Sequence, residues 1–145
     1  MRISSPQFSE KNPIPKKYTC DGQDVNPPVE FFEVPKTAVS LVLIVDDPDA
    51  PSGAWVHWIV FNIPPDTDAI RENSQVFGAE EGITSFGSRG YGGPCPPKGE
   101  HRYFFRLYAL DTILPAEEYS IDEIMSEING HVIDSCEFYA PYSRK

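Results

Sequence analysis

The sequence has few basic residues, few cysteines and no long apolar run. Of its 145 residues, 12 are Lys or Arg and 22 are Asp or Glu, so the formal net charge is −10. A charge of this sign repels nucleic acid and anionic lipid surfaces, and no basic run opposes it locally. No stretch approaches 18 consecutive apolar residues. We therefore expect neither bulk nucleic-acid binding nor membrane insertion, and any anionic ligand must be held by a local site.

The cysteines and the first residues bear on the cellular compartment. There are three cysteines, Cys20, Cys95 and Cys136, and none belongs to a CxxC pair. Residues 1–6 (MRISSP) lack the hydrophobic core of a secretion signal. These features predict a cytoplasmic protein, in which free thiols are the default state of cysteine.

Proline and glycine dominate what is present. Fifteen prolines and ten glycines are spread along the chain, a density that favours short strands joined by rigid turns over long helices. A length of 145 residues fits one domain over residues 1–145. The chain is long enough to bury a core without disulfides.

Four apolar segments predict strands, and one segment predicts a helix. The strands are expected at 39–45, 55–63, 102–110 and 132–139, with the first buried on both faces because apolar residues occupy both of its faces. Ser120 and Glu123 form a capping-box pattern, and Gly130 stands where a helix C-terminal cap belongs. Residues 64–100 are rich in glycine and show little periodicity, which is typical of a functional loop or a disordered segment. The sequence therefore predicts a mostly β protein, an antiparallel β-sandwich with a short helix.

Polar side chains interrupt three of these strands. Because alternate residues of a strand share a face, Asp47 continues an apolar face just past its strand, His57 lies among apolar neighbours, and His101 shares a face with Tyr103. Buried polar groups need partners, and convergence on one cavity would supply them. The alternatives are a core histidine at 57, a strand cap at 101, and turn-forming roles for Asp47 and Asp49.

Two longer motifs resemble the signatures of the phosphatidylethanolamine-binding protein family. The first is DDPDAP at 46–51 followed by WVHW at 55–58, and the second is GYGGPCPP at 90–97 followed by HRY at 101–103. Three shorter segments, YTCDG at 18–22, NPP at 26–28 and YSR at 142–144, resemble the bacterial and archaeal branch, which includes Raf kinase inhibitor-like proteins.

The resemblance implies a Greek-key β-sandwich with one or two short helices and a small pocket for phosphate-like anions or carboxylates. It further implies a regulatory role toward kinases or inhibition of serine proteases, no catalysis, no metal and no cofactor. A homodimer is compatible with it. The matching pocket positions are Asp47, Asp49, His57, Gly92, Gly93, His101 and Tyr103.

These residue types suit such a pocket. Backbone N–H groups at Gly92 and Gly93 could form an anion-binding concavity, and the two imidazoles and the Tyr103 hydroxyl can donate hydrogen bonds. An ionised Asp47 or Asp49 does not bind an anion, so we expect one of them to fix a histidine tautomer or to bind an ammonium group. A zwitterion such as ethanolamine phosphate would use both signs of charge.

Two further expectations follow from the resemblance. It favours a cis peptide at Ala50–Pro51, although trans is the majority state of such bonds. It also brings Cys20 and Cys95 close to the pocket, where a disulfide or a close thiol pair competes with the default of free thiols.

Three classes of function therefore compete. The first is a non-enzymatic anion-binding or regulatory module. The second is a protease inhibitor acting through an exposed loop within 78–100. The third is a metal site or hydrolase, in which Asp47, Asp49, His57 and His101 ligate a metal or Cys95 near His101 is a nucleophile. It is disfavoured because no GxSxG motif or standard metal spacing is present.

Overall fold

Two antiparallel sheets, one α-helix and a short 3-10 helix at Lys16–Tyr18 make up the fold, which a computed structural model describes for residues 1–144. Strands β1, β2 and β5 form a three-stranded sheet, and the larger sheet has the order β6-β4-β3-β7-β8. This architecture confirms the mostly β antiparallel prediction. The strands are β1 (Arg2–Ser4), β2 (Val29–Phe32), β3 (Ser40–Asp47), β4 (Trp55–Ile63), β5 (Ala69–Ile70), β6 (Glu80–Glu81), β7 (Glu100–Leu110) and β8 (Val132–Ser143), and the helix is α1 (Ile121–Ile128).

Strand β3 lies in the centre of the larger sheet and is buried on both faces, as its apolar run predicts. Leu43 and Val45 belong to the core that also contains Val29 of the smaller sheet. On the opposite face, Ile44 packs in a second cluster with Ile124 of α1. Burial of each such side chain contributes about 1.5–3 kcal/mol to the free energy of folding. The central strand is therefore held firmly in place, and it fixes the position of Asp47 at its end.

The helix begins as its capping box predicts. Ser120 accepts a hydrogen bond from the Glu123 amide, and the Glu123 carboxylate accepts one from the Ser120 amide. Gly130 follows the helix with φ +85°, a conformation that favours glycine. Within residues 1–144, no helix is both long and apolar enough to cross a membrane.

Three sequence-based expectations need correction. The last strand continues beyond residue 139 to Ser143, because β8 pairs with β7 as far as Glu100. The segment 64–100 contains the two-residue strands β5 and β6, which its weak periodicity did not reveal. The Ala50–Pro51 peptide is not cis. Pro51 instead occupies the second position of a turn closed by the Gly53 N–H and the Ala50 carbonyl, 3.1 Å apart, where a trans proline is favoured.

Candidate functional site

A cavity of about 280 Å³ lies at the end of the larger sheet where β3 ends and β4 and β7 begin. The register places Asp47 opposite Trp55 and places Asp46 opposite Phe104. Alternate side chains of a strand share a face. Asp47 of β3 therefore faces the cavity together with His101 and Tyr103 of β7. Four polar side chains, each more than nine-tenths buried, form its polar part: Asp47, His57, His101 and Tyr103.

His101 and Asp47 form a buried pair. The His101 Nδ1 lies 2.6 Å from Asp47 Oδ2, so the ring donates its Nδ1 hydrogen to the carboxylate. Nδ1 is thereby engaged, and Nε2 is the ring nitrogen left for a ligand. This geometry meets the expectation that one of the two aspartates fixes a histidine, and it identifies Asp47 as that residue. The other Asp47 oxygen accepts from the Asp49 amide at 2.8 Å.

His57 is held by the loop opposite it. Its Nδ1 lies 2.6 Å from the Gly92 carbonyl oxygen, and because a carbonyl only accepts, the hydrogen is on Nδ1. Burial lowers the pKa of His57 below its usual 6.5, although the Gly92 hydrogen bond and the charge of Asp47 oppose that shift. The ring is therefore neutral at pH 7, and its Nε2 is a hydrogen-bond acceptor.

The Tyr103 hydroxyl has no partner. It is the one buried side-chain polar atom within residues 1–144 that lacks a hydrogen bond, although its ring is 1% exposed and lines the cavity. The ring packs edge-on against His57 with centroids 5.3 Å apart. An unpaired buried hydroxyl costs about 1–3 kcal/mol, so this donor has unused hydrogen-bonding capacity.

The walls of the cavity are mainly apolar. Phe86 packs edge-on against both Trp55 and His57, with centroids 5.5 and 5.4 Å apart. Sequence reasoning missed Phe86 as a cavity residue, and its position between Ser85 and Gly87 in the glycine-rich segment was the only available signal. The remaining lining residues are Ala50, Pro51, Ser52, Cys95, Pro96 and Pro97.

Asp49, Gly92 and Gly93 do not line the cavity. Both carboxylate oxygens of Asp49 accept hydrogen bonds from the Arg102 guanidinium at 2.9 Å, and this partner lowers the pKa of Asp49 to about 2. The Gly92 amide donates to the His57 carbonyl at 2.9 Å, and the Gly93 amide donates to Asp24 Oδ1 at 2.7 Å. The expected pair of free amide donors is therefore corrected, because both N–H groups are already used.

A disulfide between Cys20 and Cys95 borders the site. The default of free thiols is thus wrong for these two residues and holds for Cys136, which is unpaired. Around the disulfide, the Cys20 amide donates to the Pro94 carbonyl at 3.1 Å, and the Tyr91 hydroxyl donates to the Tyr18 carbonyl at 2.7 Å. The disulfide removes Cys95 as a thiolate nucleophile while it is oxidised, which weakens the hydrolase alternative.

The polar part of the cavity can serve a ligand that carries both an acidic oxygen and a donor group. Tyr103 supplies a hydroxyl donor, the two Nε2 atoms donate when protonated, and Asp47 supplies a negative charge. Within residues 1–144, no group of three or more His, Cys, Asp and Glu side chains could hold a metal ion. The described residues therefore offer hydrogen bonds and one carboxylate to a ligand.

Comparison with known proteins places the chain among close relatives. The family model described as phosphatidylethanolamine-binding protein matches residues 4–143. A UPF0098 protein of Methanothermobacter thermautotrophicus is 45% identical in an alignment of 150 positions that covers 99% of each chain. A UPF0098 protein of Chlamydia trachomatis is 43% identical over the same length and coverage.

Two solved structures have the same fold. The crystal structure titled as a putative phosphatidylethanolamine-binding protein homolog, CT736 from Chlamydia trachomatis, superposes with a TM-score of 0.95 at 42% identity, covering 99% of this chain and 97% of that one. The structure of Escherichia coli YbcL, titled as a new member of the mammalian family, gives a TM-score of 0.92 at 28% identity, with 99% and 98% covered.

Proposed function

Because the chain belongs to the phosphatidylethanolamine-binding protein family, we propose that its cavity binds a small molecule bearing a phosphate or carboxylate group and does not transform it. The protein then acts as a binding or regulatory module. The observation that carries this proposal is the partnerless hydroxyl of Tyr103, a residue that lines the cavity. A ligand oxygen placed there supplies the missing acceptor and recovers the cost of the unpaired group.

The size and charge of the cavity support a small ligand. A volume of about 280 Å³ lies just below the usual range for drug-sized ligands, so a headgroup fits better than a long chain. His57 is neutral, and the Asp47 carboxylate places a negative charge at the site, which opposes an isolated anion and favours a ligand that also carries an ammonium group. O-phosphoethanolamine has both charges, and we propose it as the best small probe.

Titration with anions at several pH values tests this proposal. Sulfate keeps its two negative charges between pH 5 and 8, so any pH dependence of its binding comes from the protein. Burial lowers the pKa of His57, and a bound anion raises it, so binding takes up a proton. The sulfate affinity, measured by NMR or calorimetry, should therefore rise as pH falls, by up to about tenfold per pH unit for one proton bound.

Two variants make the titration specific. In His57→Asn, the amide can still donate to the Gly92 carbonyl, but the residue does not titrate, so the pH dependence should flatten. His131→Asn is the matched control, since His131 is exposed and pairs with Asp111 near the end of α1. The proposal fails if millimolar sulfate, phosphate and O-phosphoethanolamine all leave the resonances of His57 and His101 unchanged.

A second candidate, inhibition of a serine protease, rests on Phe77. This side chain is 98% exposed on a turn closed by the Ala79 N–H and the Val76 carbonyl at 3.1 Å, one residue before the predicted range 78–100. An exposed aromatic residue suits the specificity pocket of a chymotrypsin-like protease. If this candidate holds, Phe77→Ala abolishes inhibition of such a protease, while Ile113→Ala, another exposed apolar residue, does not. Absence of inhibition by the unmodified protein rejects it.

The cellular setting stays a prediction in three respects. A kinase partner and a homodimer are carried over from the family alone. The cytoplasmic location is an expectation from the sequence alone. The Cys20–Cys95 disulfide weighs against a strongly reducing compartment, because such bonds persist mainly in oxidising environments and in proteins of hyperthermophiles.

A further inference from the structure

The Cys20–Cys95 disulfide forms part of the cavity wall as well as joining two loops. Cys95 lines the cavity and is exposed, whereas Cys20 is partly buried. The sulfur that belongs to the exposed, cavity-lining half of the disulfide is therefore that of Cys95. No step of the proposed binding function uses this sulfur, so its placement calls for a separate explanation.

We propose that Cys95 is a modification site at which small thiols open the disulfide, leaving a mixed disulfide that fills the mouth of the cavity. The first half of this proposal stands on the geometry of the disulfide alone. The second half, that the adduct excludes the anion, rests on the proposed function. Redox conditions would then control whether the cavity is open.

The chemistry is ordinary thiol–disulfide exchange. The thiolate of a small thiol such as glutathione attacks the Cys95 sulfur, the bond between the two cysteine sulfurs breaks, and Cys20 leaves as a thiolate. A bond now joins the sulfur of the small thiol to Cys95. A second thiolate can attack the sulfur of the bound small thiol, which releases the oxidised small disulfide and leaves Cys95 as a thiolate. The small thiol is oxidised, and the protein is reduced.

Exposure selects Cys95 over Cys20 as the sulfur attacked, because access governs which sulfur of a disulfide reacts. An adduct on Cys95 projects from the wall toward a space of about 280 Å³. A tripeptide such as glutathione is large enough to obstruct it.

The protein should keep its fold when the disulfide opens. The loops that carry the two cysteines are also joined by the hydrogen bonds from Gly93 to Asp24, at 2.7 Å, and from Tyr91 to Tyr18, at 2.7 Å. The third cysteine provides an internal reference. Cys136 is half-buried, and burial raises the pKa of its thiol to about 11, so little thiolate is present at pH 7 and it reacts slowly.

The first experiment locates the adduct. The full chain carrying Cys136→Ser is treated with millimolar reduced glutathione, quenched with acid and mapped by mass spectrometry of its peptides. The expected early product carries glutathione on Cys95 with Cys20 as a free thiol. A disulfide that stays intact under these conditions, or an adduct found on Cys20 instead, overturns the proposal whatever the cavity binds.

The second experiment tests exclusion of the anion with a matched pair of variants. Oxidised glutathione converts Cys20→Ser into a stable adduct at Cys95, and converts Cys95→Ser into one at Cys20. Sulfate affinity should fall by about tenfold or more in the first, a loss of at least one charge-assisted hydrogen bond, and stay within about twofold in the second relative to each variant before modification. Saturating sulfate should also slow adduct formation in the disulfide-bonded protein.

The outcomes separate the two proposals. If the disulfide-bonded protein binds none of sulfate, phosphate and O-phosphoethanolamine, the proposed function fails, and the mapping experiment alone decides whether Cys95 is the modification site. If that protein binds sulfate, and the Cys95 adduct binds it equally well, exclusion of the anion is overturned while the proposed function stands.

Discussion

Replacing Tyr103 with Phe should weaken sulfate binding by about 10- to 100-fold, the range for loss of one hydrogen bond to a charged group. The same change should leave the free energy of unfolding unchanged or slightly higher. The hydroxyl of Tyr103 is buried and has no partner, so removing it takes away an unsatisfied polar group without breaking any contact within the protein. Few substitutions of a buried residue are expected to separate affinity from stability in this way.

Isothermal titration with sulfate and urea unfolding measure the two quantities. Tyr108→Phe is the matched control: Tyr108 lies on the other face of the larger sheet from the cavity and is only half-buried, so its loss should alter neither quantity by much. Equal sulfate affinity in Tyr103→Phe and the unmodified protein would exclude this hydroxyl as a ligand contact. A fall in stability above about 1 kcal/mol would mean that the hydroxyl has a partner in the folded protein.

Strand periodicity accounts for the part of the site that could be predicted. Alternation along β7 puts His101 and Tyr103 on one face and Arg102 on the other. In the structure, His101 and Tyr103 line the cavity, whereas Arg102 forms an ion pair with Asp49 outside it. His57 is found by the same rule on β4. In each case a side chain on a strand can point to only one of two faces. The residue type and its position in the strand are therefore enough to predict which residues face the cavity.

The loops follow no such rule. Gly92 and Gly93 were expected to offer free amides, yet their N–H groups bond to His57 and Asp24. The direction of an amide in a loop depends on which distant segment packs against it, and Asp24 is 69 residues away from Gly93. The position of Phe86 in the cavity wall could not be predicted for a related reason. It results from packing against His57, which is distant in sequence, and not from any local sequence pattern.

The disulfide shows the same limit, since Cys20 and Cys95 are separated by 75 residues. Motif resemblance could bring both cysteines near the pocket but could not decide between a bond and two thiols. That choice depends on whether the two loops bring the sulfur atoms within bonding distance. The hydrogen bonds of Cys20 to Pro94 and of Tyr91 to Tyr18 hold the loops in that position.

Loss of this disulfide should have the largest effect on stability of any change considered. The double variant Cys20→Ser, Cys95→Ser should lower the free energy of unfolding by about 4 kcal/mol, because an open loop of this length gains conformational entropy in the unfolded chain. Domains of this kind are stable by roughly 5–15 kcal/mol, so the variant should remain folded at 25 °C but melt at a lower temperature.

Guanidinium unfolding of the double variant and the oxidised protein gives the difference directly. Cys136→Ser is the control, because Cys136 is unpaired and only half-buried, and its replacement should cost less than about 1 kcal/mol. The unmodified protein unfolded in the presence of a strong dithiol reductant should match the double variant, since both lack the cross-link. A difference below about 1 kcal/mol between the double variant and the oxidised protein would mean that the hydrogen bonds between the loops, and not the disulfide, hold this side of the cavity.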